Sequence, residues 1–212
     1  MLAVSLQKSE YRILKCTKIY DGKMGIKHMR LETERLILRD WAKKDIDDIV
    51  EGLSDIEVSK WLAFIPHPYT KGMAENWVYS CMENVKNGEN RKSYEFAIEL
   101  KGENKVIGGT GIDRIDTFNG TSGGGGIWIN KKYHGKGYGS EAFGKRLEFA
   151  FDNLGLRRLE NGFFDGNNAS FKMQEKFGYK IEGLKRNGYK CMADGQLKDE
   201  HITGLLKEEW KK

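Results

Sequence analysis

Three glycines at alternate positions, Gly135, Gly137 and Gly139, follow a short apolar segment and precede a long amphipathic one. The apolar segment, residues 127–129, predicts a strand, and the segment after the glycines predicts a helix. Glycine has no side chain, so consecutive backbone N–H groups of such a loop can approach an anion, and the positive end of the helix dipole adds to the attraction. The pattern predicts a site for a pyrophosphate.

The spacing distinguishes this loop from two common nucleotide-binding motifs. The pattern G-x-G-x-G is neither the G-x-x-x-x-G-K-[ST] of nucleotide triphosphatases nor the G-x-G-x-x-G of dinucleotide-binding proteins. An ordinary strand-to-helix turn is the alternative to a phosphate site. Lys131, Lys132 and Lys136 either attract phosphate groups or form a solvated rim.

Length and charge limit the classes of protein that this chain can belong to. With 212 residues it can bury one sizeable core, and we predict an N-terminal appendage of unknown role over residues 1–29 and a single domain over residues 30–212. Apolar runs are too short to span a membrane, and the first residues lack a signal-peptide pattern, so we expect a soluble, cytoplasmic protein without a membrane partner. Lys and Arg number 36 against 31 Asp and Glu, interspersed, which argues against a nucleic-acid partner.

Cysteine and histidine spacing argues against a disulfide scaffold and a metal site. Cys16, Cys81 and Cys191 form no C-x-x-C pair. None of the four histidines lies three or four positions from another His or Cys. We therefore expect chemistry without a metal.

Apolar periodicity predicts the remaining elements. Strands are expected at residues 35–39, 94–100, 106–115 and 159–164, and two more between 179 and 206 around the turn Asp194-Gly195. Helices are expected after the N-caps Asp45, Thr70 and Asn167 or Asn168, and after the glycine loop. The stripe Met73, Trp77 and Cys81 is expected to pack in the core rather than to line a substrate site. This order predicts an α/β protein with a mixed sheet and helices on both faces.

Four segments in register resemble one enzyme family. Residues 133–142 resemble the coenzyme A pyrophosphate loop of the GCN5-related N-acetyltransferases (GNAT), with His134 in place of the usual Gln or Arg. Residues 32–39, 167–170 and 175–183 match further family segments in the same order, and together they look like the RimJ/RimL-type subgroup. The resemblance covers about residues 30–210.

The resemblance implies a GNAT-type sheet, splayed between the strand at 127–129 and the strand at 159–164. Acetyl-CoA is implied as co-substrate, with its pantetheine arm in that splay, its pyrophosphate on the glycine loop, and no metal. The cofactor-binding residues implied by matching position are Ile127, Trp128, Ile129, His134, Gly135, Lys136, Gly137, Tyr138, Gly139, Ser140, Asn167 and Ser170.

The resemblance also marks departures at the catalytic positions. Gly124 stands where many relatives have a Glu, and Gln174 stands where many have a Tyr general acid. Ser170 matches the serine of RimL-like relatives, and Tyr189 stands where those relatives have a carboxylate. Ser170 and Tyr189 are therefore the candidate catalytic residues, while His134 is expected beside the phosphates rather than as a base.

The function implied is direct acetyl transfer from acetyl-CoA to a primary amine, without a covalent enzyme intermediate. The acceptor implied is a peptide or protein N-terminus, or a small amine such as a polyamine or an aminoglycoside. A homodimer is compatible with the resemblance. Because the usual Glu and Tyr are absent, a non-catalytic acyl-CoA-binding module is the alternative.

Overall fold

The two longest predicted strands form the centre of a sheet. β4 (Tyr94–Leu100) and β5 (Lys105–Asp116) pair antiparallel across the predicted hairpin. Phe96 and Ile98 belong to the buried cluster on one face, and Ala97 belongs to the cluster on the other, because successive side chains of a strand point to opposite faces. Both faces of this hairpin are therefore buried and need a cover of helices.

The computed structural model describes residues 17–20 and 27–211. Its other strands are β1 (Thr17–Tyr20), β2 (Lys27–Glu32), β3 (Leu36–Asp40), β6 (Thr121–Gly124), β7 (Ile127–Ile129), β8 (Arg158–Phe164), β9 (Lys180–Lys190) and β10 (Leu197–Leu206). Its α-helices are α1 (Ile46–Leu53), α2 (Ile56–Ser59), α3 (Lys71–Val85), α4 (Tyr138–Glu148), which continues into a π-helical turn over Phe149–Asn153, and α5 (Asn168–Lys176).

The strands form a mixed sheet in the order β1-β2-β3-β4-β5-β6-β8-β10-β9, and β7 pairs with β5 beside this path. Every pairing is antiparallel except the short parallel contact of β6 with β8. On one face, Ile49 of α1 and Val78 of α3 share a buried cluster with Ala97. On the other face, Phe143 of α4 shares a cluster with Phe96. The predicted mixed α/β fold with helices on both faces is confirmed.

The predicted apolar stripe of α3 is only partly correct. Cys81 is buried, but Met73 and Trp77 are 39% and 41% exposed. Ala74 and Val78, which follow Met73 and Trp77 by one residue and widen the same apolar stripe, face the sheet, and each is fully buried. Smaller side chains allow the helix to pack closely on the strands, and this turns the larger residues of the stripe outward.

One predicted helix cap acts differently from expectation. The Thr70 hydroxyl accepts the Met73 N–H at 3.4 Å, as an N-cap does. Asp45 stands at the N-cap of α1, but its side chain makes no cap bond there. It accepts two hydrogen bonds from the Arg39 guanidinium and one from the Ala42 N–H, at 2.8 Å each, so the carboxylate is turned toward these donors and away from the first turn of α1.

The predicted domain boundary between residues 29 and 30 falls inside β2, which pairs with β3. The division into an appendage and one domain stays a prediction. Over residues 17–20 and 27–211, no helix is long and apolar enough to cross a membrane. In the same ranges, no three His, Cys, Asp or Glu side chains form a group that could hold a metal ion.

Replacing Arg39 by Met is expected to lower the free energy of unfolding by about 3 kcal/mol or more, measured by urea denaturation. Arg39 also donates to Glu99 at 2.7 Å, so the substitution leaves two buried carboxylates, Asp45 and Glu99, without their main partner. Lys60→Met, which removes an exposed ion pair with Glu57, should change stability by less than about 1 kcal/mol. Equal effects of the two substitutions would contradict this account.

Candidate active site

The sheet divides along β5. The first half of β5 pairs with β7, through Gly108–Thr110 opposite Ile127–Ile129, and its second half pairs with β6. β6 continues the sheet into β8, whereas β7 has β5 as its partner strand. A cleft therefore opens between β7 and residues 161–163 of β8, and both edges line the same cavity.

The chain that crosses from β6 to β7 is fixed by glycine and by one buried cation. Gly125 has a φ of +142°, and a Cβ there would collide with the carbonyl oxygen of Gly111. Arg146 of α4, 3% exposed, donates to the carbonyl oxygens of Gly111, Gly125 and Gly126 at 3.0, 3.0 and 3.1 Å. One guanidinium group therefore binds three backbone carbonyl groups at the point where the sheet divides.

The register of β7 decides which backbone groups face the cleft. The Asn130 N–H donates to the Ile107 carbonyl, and the Gly111 N–H donates to the Gly126 carbonyl. Trp128 and Gly109 lie opposite each other between these two bonds, so they also form a hydrogen-bonded pair of the antiparallel ladder. Ile127 and Ile129, on either side of Trp128, turn their N–H and C=O groups the opposite way, away from β5 and toward the cleft. The Ile129 carbonyl accepts a hydrogen bond from His134 Nε2 at 2.7 Å, which leaves Ile127 and the Ile129 N–H for a ligand.

The glycine loop leads directly into α4. Gly135 and Gly137 have φ values of +73° and +82°, a region that favours glycine. Gly137 is the N-cap of α4, and no side chain caps this helix end. The first N–H groups of α4 are therefore available to an anion in the adjoining cavity.

Arg35, just before β3, ties this loop to the sheet. Its Nε donates to Glu141 at 2.7 Å, and its Nη1 donates to the carbonyl of Lys136 at 3.0 Å. The guanidinium lies 4.5 Å from the ring centroid of Tyr138. Thr33 adds a hydroxyl bond of 2.6 Å to the same Glu141 carboxylate. These contacts hold the loop from outside the cavity and leave the inner side of the glycines open.

Two cavities meet in the cleft. The glycine-loop cavity, of about 650 Å³, extends from the loop to α5, and the aromatic cavity, of about 740 Å³, extends from the cleft toward β4 and β9. Gly125–Trp128 and Asn161–Phe163 line both. The cofactor residues expected from the sequence that line the glycine-loop cavity are Ile127, Trp128, Ile129, His134, Gly135, Gly137, Tyr138, Gly139, Ser140, Asn167 and Ser170.

The lysines near the loop have separate positions. Lys136 is not among the lining residues, and its ammonium lies 5.5 Å from the ring centroid of Tyr133. Lys132 donates to Glu51 at 2.6 Å. Lys131 lines the cavity and pairs with Asp55 at 3.5 Å. Of the three, Lys131 is the lysine placed to attract a phosphate.

A chain of hydrogen bonds orients Ser170. Thr203 Oγ1 donates to Gln174 Oε1 at 2.6 Å, and Gln174 Nε2 donates to Ser170 Oγ at 3.1 Å. The Gln174 amide is oriented by the Gly162 carbonyl oxygen, 3.3 Å away. A carbonyl oxygen can only accept, so the amide group that faces it must be the Nε2 donor. Ser170 Oγ thus accepts from within the protein, and its own O–H can donate into the cavity.

Asn167 and Tyr189 line opposite parts of the site. Asn167 caps α5 by accepting the Ser170 N–H at 3.2 Å, and it also lines the glycine-loop cavity. Tyr189 lines the aromatic cavity, with its ring 5.6 Å from Phe64 and 5.8 Å from Phe164. The two candidate catalytic residues, Ser170 and Tyr189, therefore line different cavities.

The aromatic cavity combines indole rings with carboxylates. Trp41, Trp61 and Trp77 line it, so Trp77 is a wall residue as well as an exposed one. Its carboxylates are Glu95, Asp113, Glu160 and Glu200. Burial and the nearby Asp113 raise the pKa of Glu95 to about 8, although Arg146 acts in the opposite sense. Such a cavity suits a cationic group.

Sequence reasoning missed Arg35, Trp61 and Glu95 as site residues. Glu95 had a visible signal, because it is a carboxylate between Tyr94 and Phe96 in a strand whose other residues, apart from Glu99, are apolar. Arg35 and Trp61 had none, since their roles depend on partners distant in the chain.

Comparisons with known proteins agree with this geometry. The model of a family described as "Acetyltransferase (GNAT) domain" matches residues 35–180. The N-acetyltransferase p20 of Bacillus licheniformis is 32% identical over 180 residues, which are 85% of this chain and 97% of that protein. The crystal structure of a GNAT-family acetyltransferase from Bacillus anthracis has a TM-score of 0.72 and 28% identity, covering 85% of this chain and all of that one. RimJ of Mycobacterium smegmatis, in complex with CoA-disulfide, has a TM-score of 0.70 and 20% identity, covering 82% of this chain and 83% of that one.

Replacing Arg35 by Met should speed amide hydrogen exchange over residues 135–141, measured by mass spectrometry. The variant keeps an apolar stem over Tyr138 but loses the bonds to Glu141 and to the Lys136 carbonyl. As a control, Arg157→Met removes an exposed arginine that bonds the Asn119 carbonyl elsewhere and should leave exchange in the loop unchanged. Loop exchange at the wild-type rate in Arg35→Met would show that the loop holds its shape unaided.

Proposed function

This chain belongs to the GNAT family of acetyltransferases, and we propose that it transfers the acetyl group of acetyl-CoA directly to a primary amine held in the aromatic cavity. Acetyl transfer to an amine acceptor is the activity of the family. The meeting of the two cavities along residues 125–128 and 161–163 supports this proposal most strongly, because it brings a cofactor site and an acceptor site together.

The glycine-loop cavity fits coenzyme A by its chemistry. When bound, acetyl-CoA supplies an acetyl group activated as a thioester. The N–H groups of residues 135–140 would hold its pyrophosphate, since the start of α4 has no side-chain cap. Ile127 and the N–H of Ile129 would bind the peptide-like pantetheine arm as a strand binds its neighbour, with Asn167 on the opposite wall.

Transfer requires a neutral amine, a polarised carbonyl and a proton for the departing sulfur. Ser170 is the proposed donor to the sulfur, because Gln174 occupies its acceptor side and leaves its O–H directed to the cavity. A serine hydroxyl is a weak acid, so it would act as a relay between sulfur and water. Tyr189, on the acceptor side, is the second candidate.

The acceptor is proposed to be a protein N-terminus, as in the RimJ/RimL-type subgroup, or a small amine. A panel of N-terminal peptides, polyamines and aminoglycosides, assayed for free thiol release with acetyl-CoA, tests this. Binding of acetyl-CoA without transfer to any amine would overturn the proposed function in favour of a non-catalytic acyl-CoA-binding module. The predicted cytoplasmic location and homodimer stay predictions.

Gly137→Val should weaken acetyl-CoA binding at least tenfold, about 1.4 kcal/mol, measured by calorimetry. A branched side chain is strained at a φ of +82°, and its Cβ would lie 3.4 Å from Arg35 Nη2, so the loop would shift and move its N–H groups away from the phosphates. Gly155→Val is a matched control, because Gly155 also has a positive φ, +69°, but lies at the far end of the helix with open space around it. Similar losses of affinity in both variants would mean that backbone strain, not the phosphate site, is responsible.

Ser170→Ala should lower kcat by about ten- to a hundredfold or more, with little change in acetyl-CoA affinity, because only the proton donor is lost. Steady-state kinetics with calorimetry separates the two effects. Tyr189→Phe is the comparison variant. Full kcat in Ser170→Ala together with a large loss in Tyr189→Phe would transfer the role to Tyr189, and full kcat in both would leave the proton to water.

A further inference from the structure

The acceptor amine reaches the protein mainly as an ammonium ion, because an alkyl ammonium such as that of lysine has a pKa of about 10.4. It cannot attack the thioester until it loses a proton. The inference here rests on the proposed function and concerns the group that takes this proton. Candidates are the carboxylates of the aromatic cavity, since a carboxylate that lines it can meet the ammonium before it reaches the cleft.

Three of these four carboxylates are paired with cations. Asp113 lies 3.4 Å from Arg114, Glu160 lies 3.6 Å from Arg158, and Glu200 lies 3.1 Å from Lys185. Glu95 differs from them: within residues 17–20 and 27–211, no basic side chain lies within ion-pair distance of it. A carboxylate that is already paired with a cation is a weaker base, so Glu95 is the carboxylate best suited to accept a proton.

The fold places the Glu95 carboxylate at the wall of the cavity. Its side chain lies across Gly111 of β5, where any Cβ would collide with its oxygens. Gly111 therefore provides the space that the carboxylate occupies. The position of the carboxylate is therefore set by the pairing of Glu95 with Gly111 in the central hairpin.

The charged and titratable groups around Glu95 come from three elements. Asp113 of β5 raises the pKa of Glu95, and Arg146 of α4 lowers it, but Arg146 is committed to the carbonyl groups at the sheet division. Cys81 of α3 has a pKa raised above its ordinary value by burial, so it stays a neutral thiol. Burial has the largest effect and brings the pKa of Glu95 to about 8. That value is near the pH at which a general base works best.

We propose that Glu95 is the general base that deprotonates the acceptor ammonium. An N–H bond of the ammonium breaks, its electron pair stays on nitrogen, and an O–H bond forms on the Glu95 carboxylate, directly or through one water. The neutral amine then moves to the cleft. After transfer, the Glu95 carboxylic acid releases its proton to water through the aromatic cavity, and Asp113 keeps the cavity attractive to the next cation.

The test is the pH dependence of kcat/KM with a primary alkyl monoamine such as butylamine, whose ammonium, like that of lysine with its pKa of about 10.4, titrates well above pH 8. In the wild type, kcat/KM should rise through an apparent pKa of about 8. In Glu95→Gln, kcat/KM should fall about a hundredfold at neutral pH, and its rise with pH near 8, the limb of the profile due to Glu95, should disappear. Glu160→Gln, a matched change in the same cavity, should keep that limb. Glu95→Asp should keep the limb with a lower rate.

A second readout does not depend on turnover. Carbon-13 NMR of labelled glutamate carboxyls should show one group titrating near pH 8 in the wild type and none in Glu95→Gln. Glutamine resembles the protonated carboxyl, so acetyl-CoA affinity should be unchanged and confirms folding. If no glutamate titrates near 8, or if Glu95→Gln keeps the limb, the proposal is wrong. Absence of transfer by the wild type to any amine of the panel, with Glu95 titrating as expected, would overturn the proposed function instead.

Discussion

A buried guanidinium holds the sheet where it divides. Arg146 binds the carbonyl oxygens of Gly111, Gly125 and Gly126, and it joins the two strands that separate there through one buried donor group. The same helix, α4, begins at Tyr138 and presents its free N–H groups to the glycine-loop cavity. Eight residues of helix, about 12 Å, separate Arg146 from the N–H groups at the start of α4. The division of the sheet and the anion site are therefore fixed by one rigid element.

The division leaves backbone groups of β7 without a second strand. Ile127 faces the cleft with N–H and C=O groups that a neighbouring strand would otherwise bind. Such an edge contributes less to folding than a paired one, and a ligand that binds it stabilises the folded state by mass action. Acetyl-CoA bound in this cleft would thus complete the sheet. The cost in stability is local because β7 has only three residues.

Electrostatics differ between the two sides of the cleft. The glycine-loop side offers backbone N–H groups and Lys131, whereas the aromatic side offers carboxylates among indole rings. In the proposed function, these opposite charges would keep an anionic cofactor and a cationic amine in separate cavities until they meet at β7. The raised pKa of Glu95 belongs to the same arrangement, because burial and, after it, the nearby Asp113 oppose ionisation of this carboxyl.

The sequence by itself determined the features that depend on near neighbours. The glycine loop, the caps at Thr70 and Asn167, the central hairpin and eleven of the residues that line the glycine-loop cavity follow from local periodicity and from motifs in register. The tertiary structure alone decided the outward position of Trp77, the partner of Asp45 and the tie between Arg35 and Glu141. Arg35 and Glu141 are 106 residues apart, and no local pattern encodes a contact at that separation. Packing chooses which face of a helix is buried and which charges meet, because it responds to the whole set of neighbouring surfaces rather than to the order of residues along one segment.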